Sequence, residues 1–374
     1  MPGSDSAAML LLLVVLLIPT VGVLMALTPF LMRRGEVFAV TVPTAAQDDP
    51  FVKSLKRRYA AMVGAATAVL TAAGVACALA RNEQGIVWIM VGGSLVLCVG
   101  GYALMLRYRA KMQAHKRAQG WVAEAQEAVA VVGEQPVPRA VSLKWSWLYV
   151  PIMLVTAAIG IVGYDSMPDM VPMQMGFDGT VSRWEPKGPG IVAFPVIIQV
   201  FLTACIMFGH WSILKSKKWA EPGAPATSAL AYGLFARAQS IFLVATGVLL
   251  SACIGLTFQL SSLGMMTLGQ AGFVMVAVGA VPVVVGSIVL GVVYGQAGSR
   301  VFRRMQGSDR LLADDDEHWK LGIFYCNPDD PSLFLPERFG IGWTVNLARP
   351  AVWLMIAAGV ALTAAFVVVV ALLV

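Results

Sequence analysis

The chain has 374 residues, of which 58% are hydrophobic and 13% charged, with a formal net charge of +6. Soluble domains carry about 25% charged residues, so this composition excludes a string of soluble domains. The positive balance tracks the loops between apolar runs, so it gives no reason to expect nucleic acid.

The first apolar run covers 7–31. The residues before it include Asp5 and no Lys or Arg, and Arg33 and Arg34 follow it. A secretory signal has its positive charge in front of a shorter core, so this run reads as a retained first span. Seven more spans are predicted from run length at 59–80, 85–107, 146–165, 190–213, 239–261, 266–296 and 346–374. Alternate loops carry six, seven, three and seven Lys or Arg, 23 on one side against Arg81, Arg183 and Lys187 on the other. Arg237 sits at the entrance of span six. The positive-inside rule then predicts a multi-pass protein of the bacterial cytoplasmic (inner) membrane with both termini outside.

The predicted fold class is an all-α integral membrane protein, a polytopic bundle of eight transmembrane helices with short β-hairpins in one outer and one inner loop. The chain divides into a three-span region (1–145), a two-span unit with the outer loop 166–189 (146–213), a second two-span unit (214–298), a cytoplasmic hairpin segment (299–345) and a final span (346–374). Small residues such as Gly92, Gly93, Gly100, Gly101, Gly291 and Gly295 suit close helix packing in lipid.

In the first inner loop, Val37–Val42 is extended up to Pro43. Asp49 is a good N-cap with Pro50 at the first helical position, and the helix starting there runs through Lys56, Arg57 and Arg58 into span two. The second inner loop is helical in pattern to about Val132 and breaks at Pro136 and Pro138. Its basic residues and Trp121 suit a helix near anionic headgroups, or equally a solvated extension of span three.

The outer loop from Met167 to Lys187 is the most informative stretch. Pro168 and Pro172 favour extended neighbours, and Asp178-Gly179 suits a two-residue hairpin tip. Val171, Met173, Met175 and Phe177 alternate on one strand, with Val181, Arg183 and Trp184 on the other. The loop is either an ordered connector or a recognition surface offering Asp169, Gln174, Arg183, Trp184 and Lys187. Asp169 and Asp178 read as turn residues rather than cation ligands.

The pattern Pro-Asp-x-x-Pro at 168–172, with Gly179 and Lys187, resembles the signature loop of the SdpI-like immunity proteins, a family of bacterial integral membrane proteins. That family usually reads Pro-x-His-x-Asn at the loop centre, whereas this chain has Gln174 at the His position and Gly176 at the Asn position. The resemblance implies a non-enzymatic membrane protein of immunity, sensor or envelope-protection type, meeting a toxic peptide or envelope signal through Pro168, Asp169, Pro172, Gln174, Asp178, Gly179, Arg183, Trp184 and Lys187.

The last inner loop holds an acidic run, Asp314 to Glu317, and then two β-prone runs, Ile323–Cys326 and Ser332–Leu335. Dense turn chemistry at Asn327-Pro328-Asp329-Asp330-Pro331 separates them, which predicts that the two runs pair as a hairpin before a glycine hinge at Gly340 and Gly342. Phe324, Tyr325, Asp329, Asp330, Phe334 and Arg338 form a candidate surface for a cytoplasmic partner. The apolar members are expected to pack on each other or on the bundle. The block from Trp319 to Pro350 resembles a small uncharacterised domain. The better-studied immunity proteins carry a different C-terminal segment.

The acidic residues lie outside the predicted hydrocarbon core, which argues against ion-coupled transport. Gln199, Gln239 and Gln259 are expected to bond helix to helix. Cys77, Cys98, Cys205, Cys253 and Cys326 show no paired spacing, and the three histidines are far apart. No metal-binding, phosphate-binding or nucleophile motif is present, so no cofactor, metal or catalytic residue is expected. The rival to recognition is a transporter or channel for a small neutral or amphipathic solute.

Overall fold

A computed structural model of the chain describes residues 2–32, 35–121, 137–176, 180–218, 224–305, 316–339 and 342–373. Within these, eight helices are long and apolar enough to cross a membrane. They are α1 (Pro2–Leu31), α2 (Pro50–Leu79), α3 (Gln84–Ala118), α4 (Leu143–Val162), α5 (Pro189–Lys215), α6 (Pro225–Ser262), α7 (Leu268–Phe302) and α8 (Pro350–Leu373). The chain is a multi-pass helical membrane protein. The basic loops gather at one end of the bundle, and the loop after α4 lies at the other.

Several local expectations hold. Asp49 caps α2, its carboxylate accepting from the Phe51 amide at 2.7 Å with Pro50 at the first turn. The same carboxylate meets His115 Nε2 of α3 at 2.8 Å, so the cap also ties two helices together. α6 starts well before the predicted 239, because Pro225 opens a helix of 38 residues that includes Arg237. The helix predicted to run on to about Val132 instead stops at Ala118, where Gly120 takes φ +65. Residues 122–132, the break at Pro136, the tip residues Phe177, Asp178 and Gly179, the acidic Asp314 and Asp315, and Gly340 lie outside the described residues.

The glycines divide by role. Gly93 and Gly101 do face close neighbours, Leu70 and Met25, but a Cβ at Gly92 or Gly100 would meet open space. Gly295 is not a packing position. It has φ +64 and ends the main helical stretch of α7, with Ala297 (φ 52) and Gly298 (φ 80) completing a break before the last turns. Glycine adopts such a φ without the Cβ clash that opposes it in other residues.

Four short antiparallel hairpins punctuate the loops: β1 (Glu36–Val37) with β2 (Val40–Thr41), β3 (Met170–Met175) with β4 (Val181–Pro186), β5 (Trp319–Lys320) with β6 (Phe324–Tyr325), and β7 (Phe334–Pro336) with β8 (Trp343–Val345). The two β-prone runs of the last basic loop therefore do not pair with each other. The first pairs back to Trp319–Lys320 and the second forward to Trp343–Val345. The polar stretch between them is a closed loop of its own. Asn327 Oδ1 accepts from the Asp329 amide and Asp330 Oδ1 from the Ser332 amide, both at 2.9 Å. Buried Asn346 donates to the Asn327 and Asp330 carbonyls.

The largest core lies at the basic end rather than mid-bundle. It gathers Val37, Phe38, Val40 and Val42 from the first hairpin, Val52, Leu55, Tyr59 and Val63 from α2, and Met105, Tyr108 and Met112 from α3. The Phe38 ring meets Tyr59 and Tyr108 edge-on at 5.7 and 5.4 Å. Many outward side chains of the helices are exposed Val, Leu and Ile, as a lipid-facing surface requires, because hydrocarbon gives such groups no reason to bury against each other.

Candidate functional site

At the hairpin end, β3 and β4 form the recognition candidate. Val171 and Met167 are buried with Ile191, and Tyr164, Met173, Val192, Phe258 and Leu263 pack around them. This apolar foot fixes the hairpin to α4, α5 and α6. Pro172 faces Trp184 and Gln174 faces Arg183 across the strands, with register shifts around Gln174. Trp184 is 50% exposed although it is a large aromatic. Pro168, Asp169, Gln174 and Arg183 are exposed beside it, while Pro172 and Lys187 are half-buried. Arg183 Nε donates to Glu185 at 2.7 Å on the same strand. The Lys187 amide donates to the Asp169 carbonyl at 2.8 Å, and its ammonium lies 4.8 Å from the Tyr164 ring centroid. Of the nine predicted residues, Asp178 and Gly179 fall outside the described residues, and the structure brings the other seven together on one hairpin and its flanks.

At the basic end, the candidate surface of the last loop separates into two groups. Phe324 and Asp329 are exposed. Tyr325, Asp330, Phe334 and Arg338 are buried and belong to packing instead. Tyr325 joins Trp319 and Leu335, and Phe334 meets Trp211 of α5 at 5.3 Å. Asp330 accepts from Lys217 at 2.7 Å and from the Tyr325 hydroxyl at 3.0 Å. Burial alone would raise this carboxyl, but Lys217 and Ser332 hold it down to about 2.

Arg338 is the hub of a junction that the sequence did not reveal. Its guanidinium pairs with Asp316, donates to Thr41 Oγ1 at 2.9 Å and to the Ala39 carbonyl at 3.3 Å, and lies 5.0 Å from the Trp319 ring centroid. Asp316 also accepts from the Thr41 amide at 3.0 Å and from Lys116 at 2.8 Å. Burial would raise its carboxyl, but Arg338, Lys116 and Thr41 outweigh that and bring it to about 2. Arg109 of α3 donates to the Ala39 and Trp319 carbonyls. The Phe38–Ala39 turn, held at positive φ, thus presents its carbonyl to two arginines, a return for backbone strain at non-glycine residues. Nearby, the buried Gln296 amide bonds the Glu337 and Gly342 carbonyls at 2.8 and 2.9 Å, which ties the break in α7 to the same segment. Burial pushes the Glu337 carboxyl up to about 7. The signal that could have led to this junction was a 36–42 run rich in β-branched residues followed by a proline. No glycine or asparagine marked the turn.

A third feature runs through α4, α5 and α6. Along one face of α6, residues 240, 244, 247, 251, 255 and 259 each meet a polar group. Ser240 Oγ accepts from the Val141 amide, and the Val141 carbonyl meets His210 Nε2 at 2.8 Å. The Tyr149 hydroxyl donates to the Val244 carbonyl beside Gly247. Gln199 Nε2 donates to the Ser251 carbonyl at 2.8 Å and to Thr156 Oγ1 at 2.9 Å, against Gly255. Gln259 Nε2 reaches the Val192 carbonyl at 3.4 Å beside Gly160. Residues 240 to 259 span about 28 Å of helix, close to the ~30 Å hydrocarbon thickness. Gln199 Oε1, Thr203 Oγ1, His210 Nδ1 and Ser251 Oγ are buried along this seam with no hydrogen-bond partner among the described residues. No group of three or more His, Cys, Asp or Glu that could hold a metal occurs among the described residues.

Fold and site together define a multi-pass membrane protein with a docked hairpin at one end and a polar junction at the other. Residues 152–198, which carry the second half of α4, the hairpin and the first third of α5, match a domain of unknown function (DUF1648). Residues 328–353 match a family of unknown function (DUF5808); this segment holds Asp330, Arg338 and Asn346. No curated protein and no solved structure matches the chain.

Proposed function

We propose that this protein is a non-enzymatic, SdpI-like membrane protein of immunity, sensor or envelope-protection type. It lies in the bacterial inner membrane with both termini outside. The β3–β4 hairpin meets a toxic peptide or envelope signal outside, and the Asp316–Arg338 junction forms the cytoplasmic end, where the exposed Phe324 offers a contact to a cytoplasmic partner. The observation that carries the reading is the hairpin itself. Its foot is buried through Val171 and Met167, while Trp184 and Arg183 are held outward. Trp and Arg are among the residue types that most often dominate binding energy. Deletion of the gene followed by challenge with a panel of membrane-active peptides tests it. Increased sensitivity to at least one peptide, restored by the intact gene, is expected, and unchanged sensitivity to the whole panel refutes it.

A second reading, passage of a small neutral or amphipathic solute, is favoured by the polar seam. Unsatisfied buried polar atoms are costly in hydrocarbon, and four along one interface suit intermittent hydration. Flux of small polar solutes into vesicles containing the purified protein separates the two.

A further inference from the structure

The hairpin end carries a second site, distinct from the exposed face of β3 and β4. Between α4 and α5 lies an open groove of about 520 Å³, lined by Ala157 and Ile161 of α4, by Tyr164, and by Pro189, Val192 and Val196 of α5, among others. That volume falls within the range of small-molecule sites. Its walls are almost wholly apolar and it opens sideways, toward the lipid. Along α5 it extends from Pro189 to Ile197, about 12 Å at the helical rise, against ~15 Å for half of the hydrocarbon core. Its shape suits one extended hydrocarbon chain lying along the leaflet.

A cation stands at its mouth. Lys187 is two residues before Pro189, and its ammonium sits over the ring of Tyr164, which lines the groove. The ammonium is held by two backbone carbonyls, of Asp165 at 3.3 Å and Met167 at 3.4 Å. Among the described residues no carboxylate pairs with it. It is thus a fixed, uncompensated positive charge at headgroup level above an apolar slot. Two long bonds leave ammonium donor capacity for a third acceptor.

We propose that this groove binds one anionic phospholipid of the surrounding leaflet, with an acyl chain between α4 and α5 and its phosphate on Lys187. The site stands on the groove and the ammonium and does not depend on recognition of a peptide. A bound lipid would brace the foot of the hairpin, because Tyr164 and Val192 belong both to the groove and to the cluster around Val171.

The test uses the full chain in nanodiscs made of equal parts phosphatidylglycerol and phosphatidylcholine, followed by native mass spectrometry of the lipids that stay bound. The wild type is expected to retain phosphatidylglycerol preferentially. Lys187→Gln should reduce that preference about fivefold, the worth of one basic residue near an anionic surface. Ala193→Trp, which fills the groove without touching Lys187, should remove the retained lipid. The combined Asp169→Ala, Arg183→Ala and Trp184→Ala variant should keep it, which separates this site from the recognition face. Equal retention of the two lipids by the wild type overturns the proposal. So does retention unchanged by Ala193→Trp, which would place the lipid elsewhere, or a preference unchanged by Lys187→Gln, which would leave a groove without headgroup selection.

Discussion

Asp316 and Arg338, 22 positions apart, form an ion pair whose guanidinium side chain is 2% exposed and which grips both Ala39 and Thr41 of the first hairpin. Taking Arg338 away leaves Asp316 with Lys116, and taking Asp316 away removes the carboxylate that Arg338 and Lys116 share, so either change unbalances a buried charge cluster. Asp316→Ala or Arg338→Met should each cost about 3–5 kcal/mol, read as a loss of thermal stability in detergent. Arg338→Lys should be nearly as harmful, because an ammonium lacks the planar fork that reaches Asp316, Thr41 and Ala39 at once. The double change to Asp316→Leu with Arg338→Met should cost less than the sum of the two single changes, as coupled partners do. Single substitutions costing under ~1 kcal/mol, the range of exposed pairs, would contradict this account of the junction.

Glu337 next to this pair gives the basic end a pH dependence of opposite sign to that of Asp316. Its carboxyl is raised from the ordinary 4.5 to about 7 by burial, so the folded chain holds a proton that the unfolded chain has already released. Stability therefore falls as pH rises from about 4.5 to 7 and stays at the lower level above. Glu337→Gln should flatten this slope and raise the melting temperature at pH 8, with little effect at pH 5. Melting curves of the two proteins across that window check it, and parallel slopes would contradict it. Asp316 and Asp330, both held at about 2, lose their contribution only as pH falls below about 4.

Apolar runs of twenty residues made the eight spans readable, because a lipid-crossing helix cannot avoid that signal. Asp49-Pro50 was readable too, since a cap is a local matter. The β5–β8 pairings were not. The β5–β6 turn did carry a local signal, Gly322 at φ +76, but the loop between the two hairpins is closed by distant groups, Asn346 on 327–332 and Lys217 on Asp330, which no turn residue announces. Arg338 looked like a surface residue because arginine usually is one. Only the arrival of Asp316, Thr41 and Trp319 from distant sequence makes its burial affordable. At the hairpin end, proline and alternation located the strands and named the exposed Trp184, but the apolar groove beside them depends on how α4 and α5 diverge.

The polar seam predicts a contrast between two substitutions. A Cβ at Gly255 would land on Thr156 and on the Gln199 amide, so Gly255→Val should lower the yield of folded protein and cost ~1–3 kcal/mol or more. Gln199→Leu removes one amide, and bonds of this kind in membranes average about 0.6 kcal/mol. It should therefore be mild. Equal effects of the two in a thermal assay would mean that packing does not set the seam. Loss of solute flux in Gln199→Leu, with stability kept, would support the transport reading.

Cys326 is exposed at the basic end, beyond the apolar helices. If that end faces the cytoplasm, a membrane-impermeant thiol reagent should leave Cys326 unlabelled in intact cells and label it after permeabilisation. Labelling from outside would invert the orientation and remove the hairpin from the extracellular face.

The most direct measurement for the recognition reading is the combined Asp169→Ala, Arg183→Ala and Trp184→Ala variant, expressed at normal level in a strain lacking the native gene. The three side chains are exposed, so their removal should change stability little. The account predicts a protein that melts like the wild type yet no longer protects cells against the peptide to which the deletion strain is sensitive. Full protection by this variant would contradict it.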